Sequence, residues 1–405
     1  MSSKVHFYSD LPALPSAPPE NESGQCRIGV IIYGQGEMGR AILRGAHAFC
    51  RQESKADLVY LSEKGFQGDI LPKINRADVL LVQDANPAHL KVLQQHCPVT
   101  ISLSNRNPSG RVAKVLNDDM AIGELGANYL FRRGFRTFAF LTAGWHENDK
   151  VIPFLFARER WEGFLRQLRP TGLPIHQFLF ASIPQMPALV KTLLGIPGRI
   201  GIMTSSDHYA RWLLEALPDP QELVPHKFAI LGVDDDPLMN AIAPIPISSI
   251  HPAGERLGFE AARLSVDLFY GRQTGHPEIR IIPSHLHTRA STDVFAVDDP
   301  GVAKAQRWIR THLGDAVDVN DVVQAMGISR RNLEEKFRQN LGRGIASEIL
   351  QARITRATEL LGSTELSINE IAYLVGFSES RLLSRNFRKL TGETPREYRS
   401  RINPA

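Results

Sequence analysis

Two segments near the C-terminus concentrate side chains that can contact DNA. Arginine and asparagine form paired hydrogen bonds with the edges of guanine and adenine, and further lysine and arginine neutralise phosphates. The first segment surrounds an apolar stripe of Leu333 and Phe337 with Arg330, Arg331, Asn332, Glu334, Glu335, Lys336 and Arg338. The second surrounds Leu382, Leu383 and Phe387 with Ser380, Arg381, Ser384, Arg385, Asn386, Arg388 and Lys389. A single basic helix is more often a solvated face, so its meaning depends on the elements that precede it.

Each basic segment belongs to a sequence pattern that occurs twice in the chain. The pattern runs from Val322 to Gly342 and again from Ile371 to Gly392. The copies are 49 residues apart at the first glycine and 50 apart at the phenylalanine, so one residue is inserted within the second copy. Each copy has an apolar helix, a Gly-apolar-Ser turn and an amphipathic helix, which is a helix-turn-helix layout. Because internal repeats seldom arise by chance, the duplication favours DNA binding.

The residues of the turns have stereochemical reasons. Gly327 and Gly376 are predicted to adopt a positive φ, which costs least without a side chain. Ser329 and Ser378 follow them and are predicted to cap the next helix by accepting from its free N–H groups. The run Ser-Ile-Asn-Glu at 367–370 predicts a capping box, and residues 344–361 predict a helix that links the two motifs.

From Arg27 onward, short apolar runs alternate with helical segments. Strands are predicted at Arg27–Tyr33, Asp57–Leu61, Ala77–Val82, Val99–Leu103, Thr137–Thr142, Arg199–Thr204 and Lys227–Val233. This alternation predicts an α/β region of parallel sheets covered by helices. Its length predicts two lobes, with a ligand held near the carboxyl ends of their strands.

Polar side chains at the ends of these strands and on a neighbouring helix suggest a site for a polyol. Asp118, Ser206, Asp207 and Asp234 each follow a buried run, and Arg160 lies on a predicted helix. Each carboxylate alone could be only a helix cap. Together, carboxylate and guanidinium groups exchange hydrogen bonds with vicinal hydroxyls, while an aromatic ring such as Phe156 can cover the C–H face of a sugar.

Two other patterns suggest chemistry of a different class. Residues 34–39 match G-x-G-x-x-G between a predicted strand and helix, and Glu63 lies just past the second strand. This dinucleotide fingerprint leaves open an NAD-binding α/β enzyme domain fused to a DNA reader. No catalytic arrangement accompanies it, so neither an enzyme nor a cofactor is predicted. His285 and His287 alternate along a predicted strand without a third ligand, so no metal site is predicted.

Composition indicates a globular protein with more than one domain. The chain has 405 residues, of which 43% are hydrophobic and 22% charged, and its net charge is +4. From Asp298 onward there are 17 Lys and Arg against 14 Asp and Glu, so most of the positive excess lies in this quarter. Three cysteines without metal spacing, no apolar run of membrane-spanning length and no signal-peptide core predict a cytoplasmic protein with no membrane partner.

These residues also resemble known families. The segment 302–402 is similar to the double helix-turn-helix of the AraC/XylS regulators, and its second copy matches their signature at Gly392, Thr394-Pro395 and Tyr398-Arg399. The preceding region resembles the LacI/GalR sugar-sensing domain, itself similar to periplasmic sugar-binding proteins. The resemblance rests on Arg160-x-x-Gly163-Phe164, Ser206-Asp207, Gly232-Val233-Asp234 and the run Arg-Ala-Ser-Thr-Asp at 289–293.

A sensing domain ahead of an AraC-type reader resembles the regulators of xylose operons. That resemblance implies D-xylose as effector, activation at double-stranded promoter DNA, contact with RNA polymerase and a homodimer. It implies sugar contacts from Arg160, Ser206, Asp207, Asp234 and Phe156, and base contacts from Arg331, Glu334, Glu335, Ser380, Arg381, Ser384 and Arg385. The chain departs from the pattern at Leu382, which is apolar, and at His251-Pro252, where relatives often have glutamine. Another pentose or small metabolite therefore stays open as the effector.

The predicted organisation has four parts. They are a tail at 1–25, a two-lobed periplasmic-binding-protein-like sensing domain at 26–292, a linker at 293–301 and an all-α double helix-turn-helix domain at 302–405.

Overall fold

The computed structural model of the protein describes residues 25–32, 36–53, 55–62, 71–74, 76–83, 87–104, 112–147, 150–293 and 299–402. These residues divide into two compact units, one of residues 25–116 with 257–279 and one of residues 117–256 with 280–402. Residues 1–24 of the predicted tail, Gly34 and Gln35 of the glycine pattern, Glu63 and residues 294–298 lie outside the described residues. Within the described ranges, no helix is both long and apolar enough to cross a membrane.

Strands and helices largely alternate up to residue 287, and the described residues after it form helices without further strands. The strands are β1 Cys26–Ile31, β2 Ala56–Ser62, β3 Val79–Val82, β4 Thr100–Ser102, β5 Ala113–Asn117, β6 Thr137–Glu147, β7 Lys150–Pro153, β8 Ile175–Phe180, β9 Ile200–Thr204, β10 Phe228–Val233, β11 Ser248–His251, β12 Glu278–Ile281 and β13 His285–His287. The helices are α1 Glu37–Gln52, α2 Leu71–Ile74, α3 Pro87–His96, α4 Asp119–Arg132, α5 Leu155–Leu168, α6 Met186–Gly195, α7 Asp207–Ala216, α8 Pro220–Leu223, α9 Pro237–Ile242, α10 Gly254–Phe269, α11 Pro300–Thr311, α12 Val319–Met326, α13 Arg330–Leu341, α14 Ile345–Ser363, α15 Ile368–Leu374, α16 Ser380–Thr391 and α17 Pro395–Ile402.

The first unit is built on a sheet in the order β12-β5-β4-β3-β1-β2. β1 lies between β2 and β3 and pairs with both in parallel. A strand in this position is covered on both faces, which explains why β1 is a nearly unbroken apolar run rather than an alternating one. The parallel α/β arrangement predicted for this region is confirmed.

The second unit begins with a sheet in the order β13-β11-β10-β9-β6-β7, to which β8 adds by pairing with β6. The central strands are parallel, while β7 and β13 pair in antiparallel fashion. Along β6, Ala139 and Leu141 belong to one apolar cluster, whereas Phe138 and Phe140 belong to another. Alternate residues therefore face opposite sides of the sheet, and each side has its own core. We call this sheet and its helices the sensor lobe.

The helices after the sensor lobe form two apolar cores of similar design. The first includes Val322, Leu333 and Phe337, and the second includes Ile371, Leu383 and Phe387. Helix α14 serves both, because Ile345 and Ile349 pack in the first core and Ile354, Ala357 and Leu361 pack in the second. This confirms the helix predicted to link the two motifs. We call helices α11–α17 the DNA-binding helices.

The two turns differ where one copy has the inserted residue. Gly327 and Gly376 both have a positive φ, of 67° and 82°, as predicted. Ser329 caps α13 by accepting from Asn332 N–H at 3.3 Å. The cap predicted for Ser378 is wrong, because the inserted residue places Glu379 at the N-cap of α16, where its side chain makes no capping bond. The capping box is confirmed, since Ser367 and Glu370 bond each other's backbone N–H at 3.2 and 2.7 Å.

Candidate nucleic-acid interface and effector site

Helix α16 presents a basic face that is free to bind a ligand. Leu383 and Phe387 point inward and are fully buried, which turns the opposite face of the helix toward solvent. Arg381, Arg385 and Arg388 are exposed there, and their guanidinium groups form no hydrogen bond or ion pair with any described residue. Ser380 and Ser384 are half-buried beside them. The side chains that line the resulting surface groove are Arg381, Leu382, Ser384, Arg385, Arg388, Lys389 and Thr394.

Leu382, the apolar departure from the family pattern, has a packing role. It is half-buried and packs against the second helical core. A leucine at this position therefore stabilises α16 on the fold, and the polar residues around it remain the candidates for base contacts.

Helix α13 presents a face of mixed charge. Arg330, Arg331, Asn332 and Glu335 are exposed, and Glu334 is half-buried. Glu335 accepts a hydrogen bond from Gln339 at 3.2 Å, and Arg330 donates to Asn320 at 3.5 Å. The two glutamates lower the positive potential of this face relative to α16, although arginine and asparagine remain available for base edges.

In the sensor lobe, Arg160 is held in a buried ion pair. Its Nε donates to Asp119 Oδ1 at 2.7 Å and its Nη1 to the Ser205 carbonyl at 2.5 Å. Helices α4 and α5 approach each other closely at Gly123, where a Cβ would lie only 2.0 Å from the Arg160 carbonyl oxygen. The absence of a side chain at Gly123 therefore allows the packing that brings Asp119 and Arg160 together. Burial raises the pKa of Asp119 to about 6, against the lowering effect of the Arg160 charge. The guanidinium also lies over Phe156, 4.9 Å from the ring centroid.

Asp118 and the adjacent Asp119 have different surroundings. Asp118 accepts from Ala121 N–H at 2.9 Å and caps α4, whereas Asp119 is the residue that pairs with Arg160. Ser206 likewise caps α7 by accepting from His208 N–H at 3.3 Å. Caps at these positions follow from the strand-to-helix connections, as the sequence allowed.

Asp207 is a fully buried carboxylate at the start of α7. Ser249 Oγ donates to one of its oxygens at 2.7 Å, and the Asp236 N–H donates to the other at 2.9 Å. Burial and the negative charge of Asp234 raise its pKa well above the usual range. Asp234 has a φ of 111° and Asp235 a φ of 52°, so the chain turns sharply after β10. A turn with this conformation places several carboxylates beside the ends of β9 and β10.

Asp235 anchors a polar cluster that the sequence did not predict. His287 Nδ1 lies 2.6 Å from one of its oxygens, and Arg289 Nη2 lies 2.7 Å from the other. Burial alone would raise the pKa of Asp235, but the hydrogen bond and charge of His287, together with Arg289, hold it at about 2. His285 stacks on His251 at 4.9 Å, and burial with the neighbouring histidines lowers its pKa to about 3.

This cluster corrects one expectation about metals. Asp235 is a third group beside His285 and His287, and the three candidate ligand atoms lie within 4.8 Å of one another. The sequence expectation that no third ligand exists was therefore wrong. The Arg289 guanidinium already neutralises Asp235, and its positive charge in the same cluster opposes a bound cation.

The same part of the sensor lobe contacts the DNA-binding helices. Tyr398 Oη on α17 donates to the Ser284 carbonyl at 2.6 Å, and Ser284 Oγ lies 2.9 Å from His285 Nδ1. On α14, a Cβ at Gly362 would lie 2.8 Å from the Cβ of His285. A short chain of contacts therefore runs from the end of β10 through Asp235 and the histidines to α14 and α17.

Comparisons with known proteins agree with both parts of this description. A helix-turn-helix domain model matches residues 322–401, and a periplasmic binding protein-like domain model matches residues 127–292. The chain is 30% identical to the xylose operon regulatory protein of Escherichia coli K12 over 292 residues, covering 70% of this chain and 73% of that protein. It is 28% identical to the protein of the same name from Haemophilus influenzae over 293 residues, covering 70% and 74% of the two chains.

A solved structure with a similar fold covers nearly the whole chain. It is described as the xylose-binding transcription activator xylR, with a TM-score of 0.56, 24% identity and coverage of 93% of this chain and 98% of that chain. These relatives are transcription regulators and not enzymes, which removes the NAD-binding enzyme as an alternative. The chain belongs to the AraC-type helix-turn-helix transcription regulators that carry a periplasmic-binding-protein-like sensor domain.

Proposed function

We propose that this protein is a cytoplasmic, D-xylose-responsive activator of genes for xylose catabolism. The names of the relatives support the sugar. The observation that carries the proposal is the state of Arg160, which is 4% exposed and held by Asp119 and Ser205. Its Nη2 has no hydrogen-bond partner among the described residues. A buried guanidinium with one unused nitrogen is suited to a neutral polyol hydroxyl.

The effector site that we propose combines Arg160 with Phe156, Asp118, Ser206, Asp207 and Asp234. Phe156 already contacts the Arg160 guanidinium and can offer the rest of its surface to the C–H face of a sugar. Asp207 would position the turn that carries Asp234, because its two oxygens accept from Ser249 Oγ and from the Asp236 N–H. Asp234 would accept from a hydroxyl.

The sugar signal would reach the DNA-binding helices through the contacts that start at Asp235. A sugar bound to Asp234 alters the turn after β10, and the next residue holds His287 and Arg289. His285 and Ser284 lie between this cluster and α14 and α17. A coupling free energy of about 1–3 kcal/mol is typical of such links and would be enough to change operator occupancy.

On DNA, we expect each protomer to place α13 and α16 in successive major grooves. Motifs on one linking helix would then be separated by about 34 Å along the duplex, one helical turn. A straight duplex would bend to satisfy both, which adds readout of DNA shape. A homodimer would occupy two half-sites arranged as direct repeats and present a surface to RNA polymerase. Footprinting checks this geometry, since one short protected site unchanged by sugar would contradict it.

The sugar assignment is tested by thermal unfolding with D-xylose, L-arabinose, D-ribose and D-glucose. A ligand that binds only the folded state raises the melting temperature, and we expect the largest rise with D-xylose. Asp234→Asn, which tolerates a positive φ, should abolish this rise and the effect of sugar on promoter binding, while unliganded DNA affinity stays within about twofold, below the typical allosteric coupling.

Asp219→Asn is the matched control, because Asp219 is an exposed cap of α8 outside the proposed site. It should respond to D-xylose like the unmodified protein. A larger rise in melting temperature with another pentose would identify that pentose as the effector instead of D-xylose. This outcome is open because the chain has His251 where relatives often have glutamine. No response to any sugar would contradict the proposal.

A further inference from the structure

A cavity of about 550 Å³ lies within the second unit, between the sensor lobe and the DNA-binding helices. Its sensor-lobe wall includes Tyr129, Arg132 and Arg133 from the end of α4, and its opposite wall comes from α11 and α14. Six arginines line it, namely Arg132, Arg133, Arg307, Arg310, Arg343 and Arg356. The acidic side chains that line it are Asp293, Glu348 and Glu359. Among the described residues, the lining therefore carries three more positive than negative charges.

Each acidic group in the cavity is already paired with an arginine. Asp293 lies 2.6 Å from Arg310 Nη1, Glu348 lies 2.6 Å from Arg343 Nε, and Glu359 lies 2.9 Å from Arg356 Nη1. Arg307 has no hydrogen bond or ion pair from its side chain to any described residue. Arg132 uses only its Nε, which donates to Asn128 at 3.0 Å. Two guanidinium groups are thus left without a negative partner in the described chain.

The positive charges around the cavity, paired and unpaired, repel one another. Arg132 and Arg307 are exposed, so solvent screens part of their charge. The pKa of Arg132 is nevertheless lowered, by desolvation of its guanidinium next to the cavity wall and by the like charge of Arg343. Burial also lowers the pKa of Arg133, which is 5% exposed and donates to the Thr292 carbonyl at 2.8 Å. Arginines converging without enough carboxylates raise the free energy of this arrangement unless an anion joins them.

We propose that this cavity binds a small molecule that bears a phosphate group. A phosphate dianion offsets most of the excess charge, and its oxygens match the planar donor fork of arginine. The volume lies within the range of small-molecule sites. The contribution of the half-buried Tyr129 and the buried Leu313 to the lining favours a small molecule over the backbone of a DNA duplex.

Such a ligand would join the two functional parts of the protein. Its phosphate would contact Arg132 on α4 of the sensor lobe together with Arg307 on α11 or Arg343 before α14. Binding would therefore stabilise this arrangement of the sensor lobe and the DNA-binding helices and change DNA affinity. The site is separate from the proposed sugar site, because Arg160, Asp207 and Asp234 do not line the cavity.

The test is calorimetric titration of the full-length protein in phosphate-free buffer with glycerol 3-phosphate, inorganic phosphate and glycerol. We expect the two phosphate compounds to bind and glycerol not to bind. The double variant Arg132→Gln with Arg307→Gln should lower the affinity for glycerol 3-phosphate about tenfold or more, since two charge-assisted contacts are lost. Arg169→Gln is the control, because Arg169 is exposed and lies outside the cavity.

D-xylose titration of the same variants separates this proposal from the proposed function. The double variant should bind D-xylose like the unmodified protein. If D-xylose never binds but glycerol 3-phosphate binds and the double variant loses it, the cavity proposal stands and the sugar assignment fails. Absence of binding by both phosphate compounds, or equal binding by the double variant, overturns the cavity proposal. A double variant that loses affinity only for a DNA duplex would assign these arginines to DNA phosphates and also overturn it.

Discussion

The two helix-turn-helix copies share one plan but differ in charge. Helix α16 carries Arg381, Arg385, Arg388 and Lys389, and no acidic residue lies between 380 and 391. Helix α13 places Glu334 and Glu335 among its arginines, and Lys336 forms an ion pair with Asp299. Because phosphate contacts supply much of the affinity for DNA, we expect the second copy to make the larger electrostatic contribution to DNA binding. We therefore do not expect the two copies to contribute equally to DNA affinity.

The copies also differ in their attachment to the sensor lobe. The second copy contacts it through the buried hydrogen bond from Tyr398 to Ser284 and through the packing of Gly362 on His285. Helix α11, beside the first copy, contacts it through the Arg310–Asp293 pair, in which the Asp293 side chain is 58% exposed. Buried hydrogen bonds are stronger than exposed ion pairs, so they couple the positions of the groups that they join more tightly. We infer that the second copy both binds DNA more strongly and receives more of the effector signal.

The largest expected difference between the copies is at their turn glycines. A Cβ on Gly376 would lie 2.1 Å from the Leu313 carbonyl oxygen, whereas a Cβ on Gly327 meets no atom within 4 Å. Both residues have a positive φ, so either alanine costs about 1–2 kcal/mol for the backbone. Gly376→Ala should cost roughly 3 kcal/mol or more in unfolding free energy, because the clash adds to that strain. Urea unfolding followed by circular dichroism measures both variants, and equal losses would contradict the packing.

Next in size is the difference between arginines on the two recognition helices. Arg381→Ala should weaken promoter binding by about 1–3 kcal/mol and relax the preference for one base. Arg331→Ala should cost less, roughly 1 kcal/mol, because the neighbouring glutamates reduce the local potential. Fluorescence anisotropy of labelled promoter DNA at fixed salt measures the affinity of both variants. Unfolding curves are the control, because replacing either exposed side chain should leave the stability of the fold unchanged. An equal or larger loss for Arg331→Ala would reverse the proposed ranking.

A smaller effect is expected for the attachment to the sensor lobe. Tyr398→Phe keeps the aromatic ring 5.5 Å from Phe387 and removes the hydrogen bond to Ser284. The loss of about 1 kcal/mol should appear as a reduced effect of D-xylose on DNA affinity. Arg310→Gln is the matched change beside the first copy and should alter the sugar effect by less than about 0.5 kcal/mol. DNA titrations with and without sugar measure both effects. A larger effect of Arg310→Gln would indicate that the sugar signal reaches the DNA-binding helices mainly through α11.

Periodicity in the sequence was enough to predict most of the fold. The strands predicted within the described residues are present, because buried parallel strands are apolar runs that helical segments separate. The linking helix and the capping box were predictable from local pattern alone. β8 was missed, since its apolar run is short, only Phe180 in it is buried, and His176 and Gln177 interrupt the pattern. β7 was missed as well, because it is a short strand that pairs only in a hairpin with β6.

The polar clusters depend on distant residues and were less predictable. Arg160 stood out by type and position, but its partner is Asp119, which is selected by the close packing of α4 on α5. The cluster around Asp235 joins the turn after β10 to His287 of β13, which is 52 positions further along the chain. A local sequence pattern cannot show that residues so far apart in the chain come together in the fold. The wrong prediction of a cap at Ser378 has a different cause. The sequence shows that the second copy has one extra residue, but it does not show that this residue lengthens the turn at its C-terminal end, before α16.

The smallest expected effect tests that insertion directly. Ser329 caps α13, so Ser329→Ala should lower the unfolding free energy by roughly 1 kcal/mol. Ser378 is exposed and precedes the N-cap of α16, so Ser378→Ala should change it by less than about 0.5 kcal/mol. Glu379→Ser places a capping hydroxyl where the helix begins and should stabilise α16 by about 0.5–1 kcal/mol. Urea unfolding of the three variants measures each change. A loss at Ser378 as large as that at Ser329 would mean that the second copy is capped one residue earlier, with α16 and its basic face rotated accordingly.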